Sequence, residues 1–301
     1  MASTLSNESR FVVDLLTTLR NEKFSPVAWT RFIARSWEMS RSTANANPHL
    51  KHSWGRASLA LCVLALVLLA ASFVWEGPAF ALRFLPGFLF CVAWQINDLY
   101  WHLGLNRQVQ TGALMPTIGY ANFYTQLRGL MASFLLGRLV GGVPTSTALS
   151  LLVFLCGIVT DVLDGQIARH THTQSKLGQI TDSEADFCLY LAVTVILIQN
   201  GMLPAWMGML MLARFLLPLL AALASYFILA HPVRFGSTLW GKCAGMAQCL
   251  YFLALLTPPR LVEITRLVDL PLLIITLALM IAALIAQIVA NGPSGRQEKK
   301  L

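Results

Sequence analysis

The sequence predicts an all-α integral membrane protein with eight transmembrane helices and both termini in the cytosol. Three observations carry that expectation. Of 301 residues, 56% are hydrophobic and only 12% charged, with a mean hydropathy of +0.64, which sets the chain apart from ordinary soluble domains. Several apolar runs reach the ~20 residues that a helix needs to cross a bilayer. The basic residues, which raise the net charge to +8, lie mainly outside those runs, where cytosolic lysines and arginines set topology. Anionic lipid headgroups are therefore the expected partners, and nucleic acid is not. The six cysteines fall in or beside apolar segments without metal-ligand spacing or a disulfide framework, and read as small packing residues.

Residues 1–56 form a polar, basic arm with two amphipathic patches, one beginning at Phe11 and one at Val27. Trp29, Arg31, Phe32, Arg35 and Trp37 suit a helix lying in the headgroup layer, and an arm that binds a partner protein is the competing reading. Two spans, 57–75 and 79–99 within a 57–100 unit, are joined by a turn at Glu76, Gly77 and Pro78. A polar linker follows over 101–121. The third span opens at Asn122, and along it Gly129, Ser133, Gly137 and Gly141 recur every four residues, a small-residue stripe for close helix packing.

After a turn at Gly141–Pro144, the fourth span starts at Thr145. At about 1.5 Å per residue, Asp161 lies roughly 24 Å along it, near the far edge of a ~30 Å hydrocarbon layer. The fifth span leaves from Asp182, and the sixth, 204–228, carries Arg214 near its middle, where a charge is costly and marks a functional candidate. The seventh opens near Lys242, preceded by a segment containing Arg234. The last, 270–291, leads to a basic tail over 293–301.

The chemistry concentrates between Asp161 and Asp186. Positions three or four apart share a helix face, so Asp161 and Asp164 point together, as do Asp182 and Asp186. Eight residues, 170–177, are expected to form the loop that holds the two helix ends side by side. Crowded carboxylates repel one another unless a positive charge sits among them. Hard divalent cations with oxygen ligands answer that need, and Mg²⁺ typically uses carboxylates together with substrate phosphates. Gly157, Gly165, Ala168 and Gly178 would let a bulky ligand approach the backbone, and Arg169 offers a planar cation suited to phosphate. His170 and His172 read as solvent-facing loop residues rather than zinc ligands, because no further His or Cys cluster accompanies them.

The pattern D-x2-D-G-x2-A-R-x8-G-x3-D-x3-D, complete from Asp161 to Asp186, resembles the signature of the CDP-alcohol phosphotransferases, integral membrane enzymes of phospholipid synthesis. Two weaker segments resemble the phosphatidylglycerophosphate synthase branch: Asn122, Thr125 and Arg128 as N-x2-T-x2-R, and Lys242 with Gln248 as G-K-x5-Q. In that branch a proline stands where this chain has Ala121, a threonine where it has Gly245, and a lysine where it has Phe187. An Arg-Glu pair there corresponds to Arg214 and Phe215 here.

The resemblance implies a six-helix catalytic domain over 122–292, preceded by two extra transmembrane helices. It implies transfer of a phosphatidyl group from CDP-diacylglycerol to an alcohol with release of CMP. Asp161, Asp164 and Asp182 are then expected to hold two Mg²⁺ or Mn²⁺ ions. Asp186 is expected to bind metal and to act as general base. Asn122, Thr125, Gly165, Ala168, Arg169 and Gly178 are expected to bind the donor, and Arg214, Arg234 and Lys242 a phosphorylated acceptor. Glycerol 3-phosphate is the favoured acceptor; inositol, inositol phosphate, serine or another alcohol stay open. Members of this family often form homodimers, and the small-residue stripe permits one here. The implied setting is multi-pass in a bacterial inner or plasma membrane, with the acids facing the cytosol. A cation transporter or channel is the alternative of another class, since acids in spans also mark ion paths.

Overall fold

The computed structural model describes residues 16–227, 239–257 and 262–291. Arg234, the start of the first amphipathic patch and the basic tail lie outside the described residues. The described residues form no strand; after a helical stretch at 16–21 come nine longer α-helices: α1 Pro26–Ala46, α2 Pro48–Glu76, α3 Pro78–Trp101, α4 Gly119–Val140, α5 Thr147–His170, α6 Lys176–Gln199, α7 Ala205–Phe227, α8 Leu239–Leu255 and α9 Val262–Asn291.

Punctuation in the sequence accounts for most of these boundaries. Proline at the first turn, where its missing N–H costs nothing, opens α1, α2 and α3. Gly77, at φ +88°, makes the break between α2 and α3. Serine hydroxyls cap α1, α5 and α6 at Ser25, Ser146 and Ser175, each accepting a backbone N–H three residues on. Three described helices, α2, α3 and α5, are long and apolar enough to cross a membrane, and apolar runs also occupy Ala205–Leu217 in α7 and Leu270–Ala286 in α9. Helices α4 and α6 carry more polar residues, and α4 turns its own inward, burying Asn122, Thr125, Gln126, Arg128, Ser133 and Arg138.

Helix α4 is the hub, packed against α3, α5 and α6. Its small-residue stripe is used inside the chain. A Cβ on Gly129 would stand 2.6 Å from the Gln95 amide, one on Gly137 2.7 Å from the Phe88 backbone, and one on Gly141 2.5 Å from the Arg83 carbonyl. The stripe is therefore the seat of α3, and it is not free to pair two copies. Beside it, Phe84, Phe88 and Phe134 stack edge to face and tilted, with centroids 5.6–5.9 Å apart. Gly137→Val forces backbone apart and is expected to destabilise by roughly 1–3 kcal/mol or more. The check is a lowered thermal midpoint of the purified protein, against Gly55→Val, whose Cβ would meet nothing within 4 Å.

At the end of α4 away from the acids, Arg138 is 1% exposed. It donates to both Glu76 carboxylate oxygens and, at 2.7 Å, to the Pro144 carbonyl, tying the α2 end to the α4–α5 turn.

Helices α2, Pro48–Glu76, and α9, Val262–Asn291, contain the spans expected over 57–75 and 270–291 and extend beyond them, because polar turns continue a helix once its apolar part is seated. The 101–121 stretch is no free linker. A short 3₁₀ turn at Leu103–Leu105 precedes a folded segment, and Leu103 and Ile118 join Ala44, Leu50, Ala57, Leu99 and Leu177 in a second apolar cluster. Helix α1 docks on the end of α3 through Trp101, whose indole donates to Ser36 Oγ at 2.7 Å. Val27, Trp29, Ile33 and Trp37 of α1 stay exposed.

Candidate active site

The acids come from two helices held by one tight connection. Helix α5 runs through Asp161 and Asp164 to His170, and α6 begins at Lys176. The connecting loop is thus 171–175 rather than the eight residues expected, and α6 starts six residues before Asp182. His172 takes a left-handed φ of +53° at the turn, and Ser175 caps α6 by accepting from Gly178 N at 2.9 Å.

The folded 103–118 segment straps this loop. Val109 N donates to Gln174 O at 2.9 Å, Lys176 N to Arg107 O at 3.1 Å, and Gln108 Nε2 to His172 O at 2.8 Å. The strap is itself held by Asn106, fully buried, whose amide donates to Thr117 O at 2.8 Å and Met115 O at 3.3 Å. Asn106→Ala should cost about 1–3 kcal/mol through the carbonyls it leaves unpaired. Thermal unfolding beside the exposed-site control Gln110→Ala would show it.

Arg128 of α4 lies where all four acids converge. It is 1% exposed, and it pairs with Asp161 and Asp182 in short charged hydrogen bonds, with Asp164 Oδ2 at 3.0 Å and with Asp186 Oδ1 at 3.2 Å. The acids differ in what else they meet. Asp164 is buried and also accepts from Thr125 Oγ1 at 2.8 Å. Asp161, Asp182 and Asp186 stay open, with side chains 52%, 43% and 33% exposed. Each of these three presents an oxygen within 4.8 Å of the others. An all-oxygen set this close fits a hard divalent cation. Asp164, also expected among the ligands, is not one of these three, and its Oδ2 meets both Thr125 and Arg128.

The glycines have specific neighbours. A Cβ on Gly157 would fall 2.4 Å from a Leu189 methyl, so this residue lets α5 and α6 close up behind the acids. Gly165 carries the Arg169 guanidinium over it, 3.2 Å from where a Cβ would sit, and Arg169 and Ala168 line the exposed end of α5. Gly178 faces Asn122 Oδ1, 2.5 Å from a Cβ position. Asn122 is buried, and its amide donates to Ile118 O at 2.8 Å and to Ser175 Oγ at 3.3 Å, so in this structure it joins α4 to the cap of α6.

Among the expected acceptor residues, Arg214 lies over the Phe215 ring at 4.2 Å and the Tyr190 ring at 5.6 Å. Its Nη1 would be 2.6 Å from a Cβ on Gly245, so the missing side chain there makes its berth. Asp186 lies within electrostatic reach of it, and its Nε is buried without a hydrogen-bond partner. Lys242 is exposed near the start of α8. His170 and His172 are exposed as well.

The residue underrated by sequence reasoning is Arg128, quoted in a motif but assigned no role. The signal was present: it shares a face with Asn122 and Thr125 at spacing three, and a charge inside a span marks a functional candidate wherever it occurs.

Comparison with known proteins follows the same lines. A family model described as CDP-alcohol phosphatidyltransferase matches residues 119–289, more than half of the chain. Among curated proteins, a cardiolipin synthase (CMP-forming) of Streptomyces coelicolor is 38% identical over 73 residues, covering 24% of this chain and 34% of that protein. A CDP-diacylglycerol--glycerol-3-phosphate 3-phosphatidyltransferase of Bacillus subtilis is 32% identical over 88 residues, covering 28% of this chain and 46% of that one. The chain thus spans about a third and just under half of the lengths of these relatives. No solved structure matches significantly.

Proposed function

The chain belongs to the CDP-alcohol phosphatidyltransferase family, and on that premise we propose that it transfers a phosphatidyl group from CDP-diacylglycerol to glycerol 3-phosphate, releasing CMP. The observation that carries the reading is the trio of open carboxylates, Asp161, Asp182 and Asp186, converging within 4.8 Å beside a buried arginine. Family membership makes the chain a transferase rather than an ion path.

In the proposed reaction Asp186 takes the proton of the acceptor hydroxyl. The acceptor oxygen bonds to the phosphatidyl phosphorus, and the bond from that phosphorus to the CMP oxygen breaks. Asp161, Asp182 and Asp186 would hold Mg²⁺ or Mn²⁺, with Asp164 behind them. Bound there, two such ions would neutralise the diphosphate and the leaving CMP. Arg169, at the open end of α5, would meet the nucleotide phosphate, its guanidinium lying over Gly165, with Ala168 one residue before it. Asn122 and Thr125 would act on the donor through the cap of α6 and through Asp164. Arg214 would meet the acceptor's phosphate, since its Nε lacks a partner and Asp186 is near. Lys242 and Arg234 are further cations proposed for that phosphate.

We count α2 to α9 as eight spans, with the basic 1–56 arm and 293–301 tail in the cytosol beside the acids, in a bacterial plasma membrane. Helix α1, with Trp29, Ile33 and Trp37 exposed, would lie in the headgroup layer. The 119–289 match and the strap over 103–118 support a catalytic unit that begins earlier than 122.

The test is CMP release by the purified protein given CDP-diacylglycerol, Mg²⁺ and a panel of glycerol 3-phosphate, inositol, inositol phosphate and serine. Release with glycerol 3-phosphate and at most a tenth of that rate with the others is expected. Preference for another alcohol would replace the acceptor, and no release with any of them would overturn the reading.

A further inference from the structure

A cleft of about 420 Å³ lies between α3, α4 and α6, outside the acid quartet. Its size falls in the range of small-molecule sites. Its wall on α3 comprises Phe90, Cys91, Trp94, Gln95 and Asp98, and Glu184 of α6 stands opposite at the polar end. Phe90 and Trp94 are 69% and 62% exposed on a helix apolar enough to cross a membrane. In a membrane the exposed faces of Phe90 and Trp94 would meet acyl chains.

The polar end offers acceptors. Gln95 spends its amide N–H groups on the Gln126 carbonyl at 2.6 Å and Gln126 Oε1 at 2.8 Å. That leaves Gln95 Oε1 buried with no hydrogen-bond partner, a costly arrangement unless a ligand donates to it. Asp98 and Glu184 both line the cleft, and Asp98 Oδ1 meets His102 Nδ1 at 3.1 Å. Burial opposes a charge on His102, but the hydrogen bond and charge of Asp98, with the charge of Glu184, outweigh it and raise the ring's pKa.

We propose that this cleft is a second lipid site, which takes a neutral hydroxyl-bearing lipid of the acylglycerol class. The chain lies along Phe90 and Trp94, and a hydroxyl donates to Gln95 Oε1 near the carboxylates. A phosphate or diphosphate head is disfavoured because the cation beside these carboxylates, His102, is already paired with Asp98, which separates this site from that of the nucleotide donor. Thr125, which lines the cleft and bonds Asp164, stands between the two. The inference does not depend on the transferase reading.

The probe is a monoacylglycerol with a diazirine in its chain, photolysed with the full-length protein in nanodiscs and mapped by peptide mass spectrometry. Labelling on the α3 face around Phe90 and Trp94 is expected, competed by excess dioleoylglycerol and not by phosphatidic acid. Cys91→Trp, which fills the cleft, and Gln95→Leu should each lower it at least tenfold, with folding followed separately by thermal midpoint. Should either variant unfold, competition on the unaltered protein still decides. Labelling elsewhere, labelling untouched by a folded Cys91→Trp variant, or equal competition by phosphatidic acid overturns the proposal.

Discussion

Arg128→Met is expected to unfold the site in metal-free buffer and to make stability depend on added Mg²⁺. Four carboxylates now share one guanidinium that is 1% exposed. Taking the cation away leaves Asp164, itself buried, and three neighbouring acids facing one another without a counter-charge. Removing one partner of a buried charged group typically costs about 3–5 kcal/mol, and mutual repulsion adds to that. A divalent cation held by the acids would restore part of the loss, because ligands that bind only the folded state stabilise it. The thermal midpoint with chelator and with millimolar Mg²⁺ measures this, and the gap between the two should be much wider in the variant than in the parent. Arg128→Lys keeps a charge but loses the planar fork that reaches several carboxylates at once, so it should fall between. Unchanged stability of Arg128→Met in chelator would show that the arginine is not the acids' counter-charge.

Asp186→Asn is the second large effect, and it should strike rate rather than stability. The amide has nearly the same shape, so the packing of α6 persists, and one of four mutually repelling charges disappears. The thermal midpoint should hold or rise. CMP release should fall by about 10²–10⁴-fold, the usual loss when a positioned proton acceptor is removed, and further if metal binding weakens too. Asp164→Asn is the contrasting variant. Asp164 is buried against Thr125 and Arg128 rather than open with the other three, so its loss should act more on folding. Activity of Asp186→Asn close to the parent's would remove that residue from the proposed mechanism.

Much of the acid site could be read before any coordinates. Spacings of three and four put Asp161 with Asp164 and Asp182 with Asp186 on shared faces, whereas the small residues among them read as room for a ligand, and Gly157 and Gly178 instead face Leu189 and Asn122 of this chain. The division of labour within the quartet could not be read. Nothing local separates Asp164 from Asp161; Arg128 pairs with both, and it is Thr125, more than thirty positions away in sequence, that bonds Asp164 alone. The 101–121 stretch misled for a related reason. Its polar residues look like a linker until their backbone partners in the 171–175 loop are known.

By itself, the sequence determined that this chain is an all-helical membrane protein with a paired-acid motif, because hydropathy and helical period are properties of neighbouring residues. Only the tertiary structure decided that Arg128 neutralises the acids, that the glycine stripe of α4 seats α3 rather than a second copy, and that 103–118 straps the site. Those are contacts between residues far apart in the chain, and which faces meet is settled by the packing of whole helices.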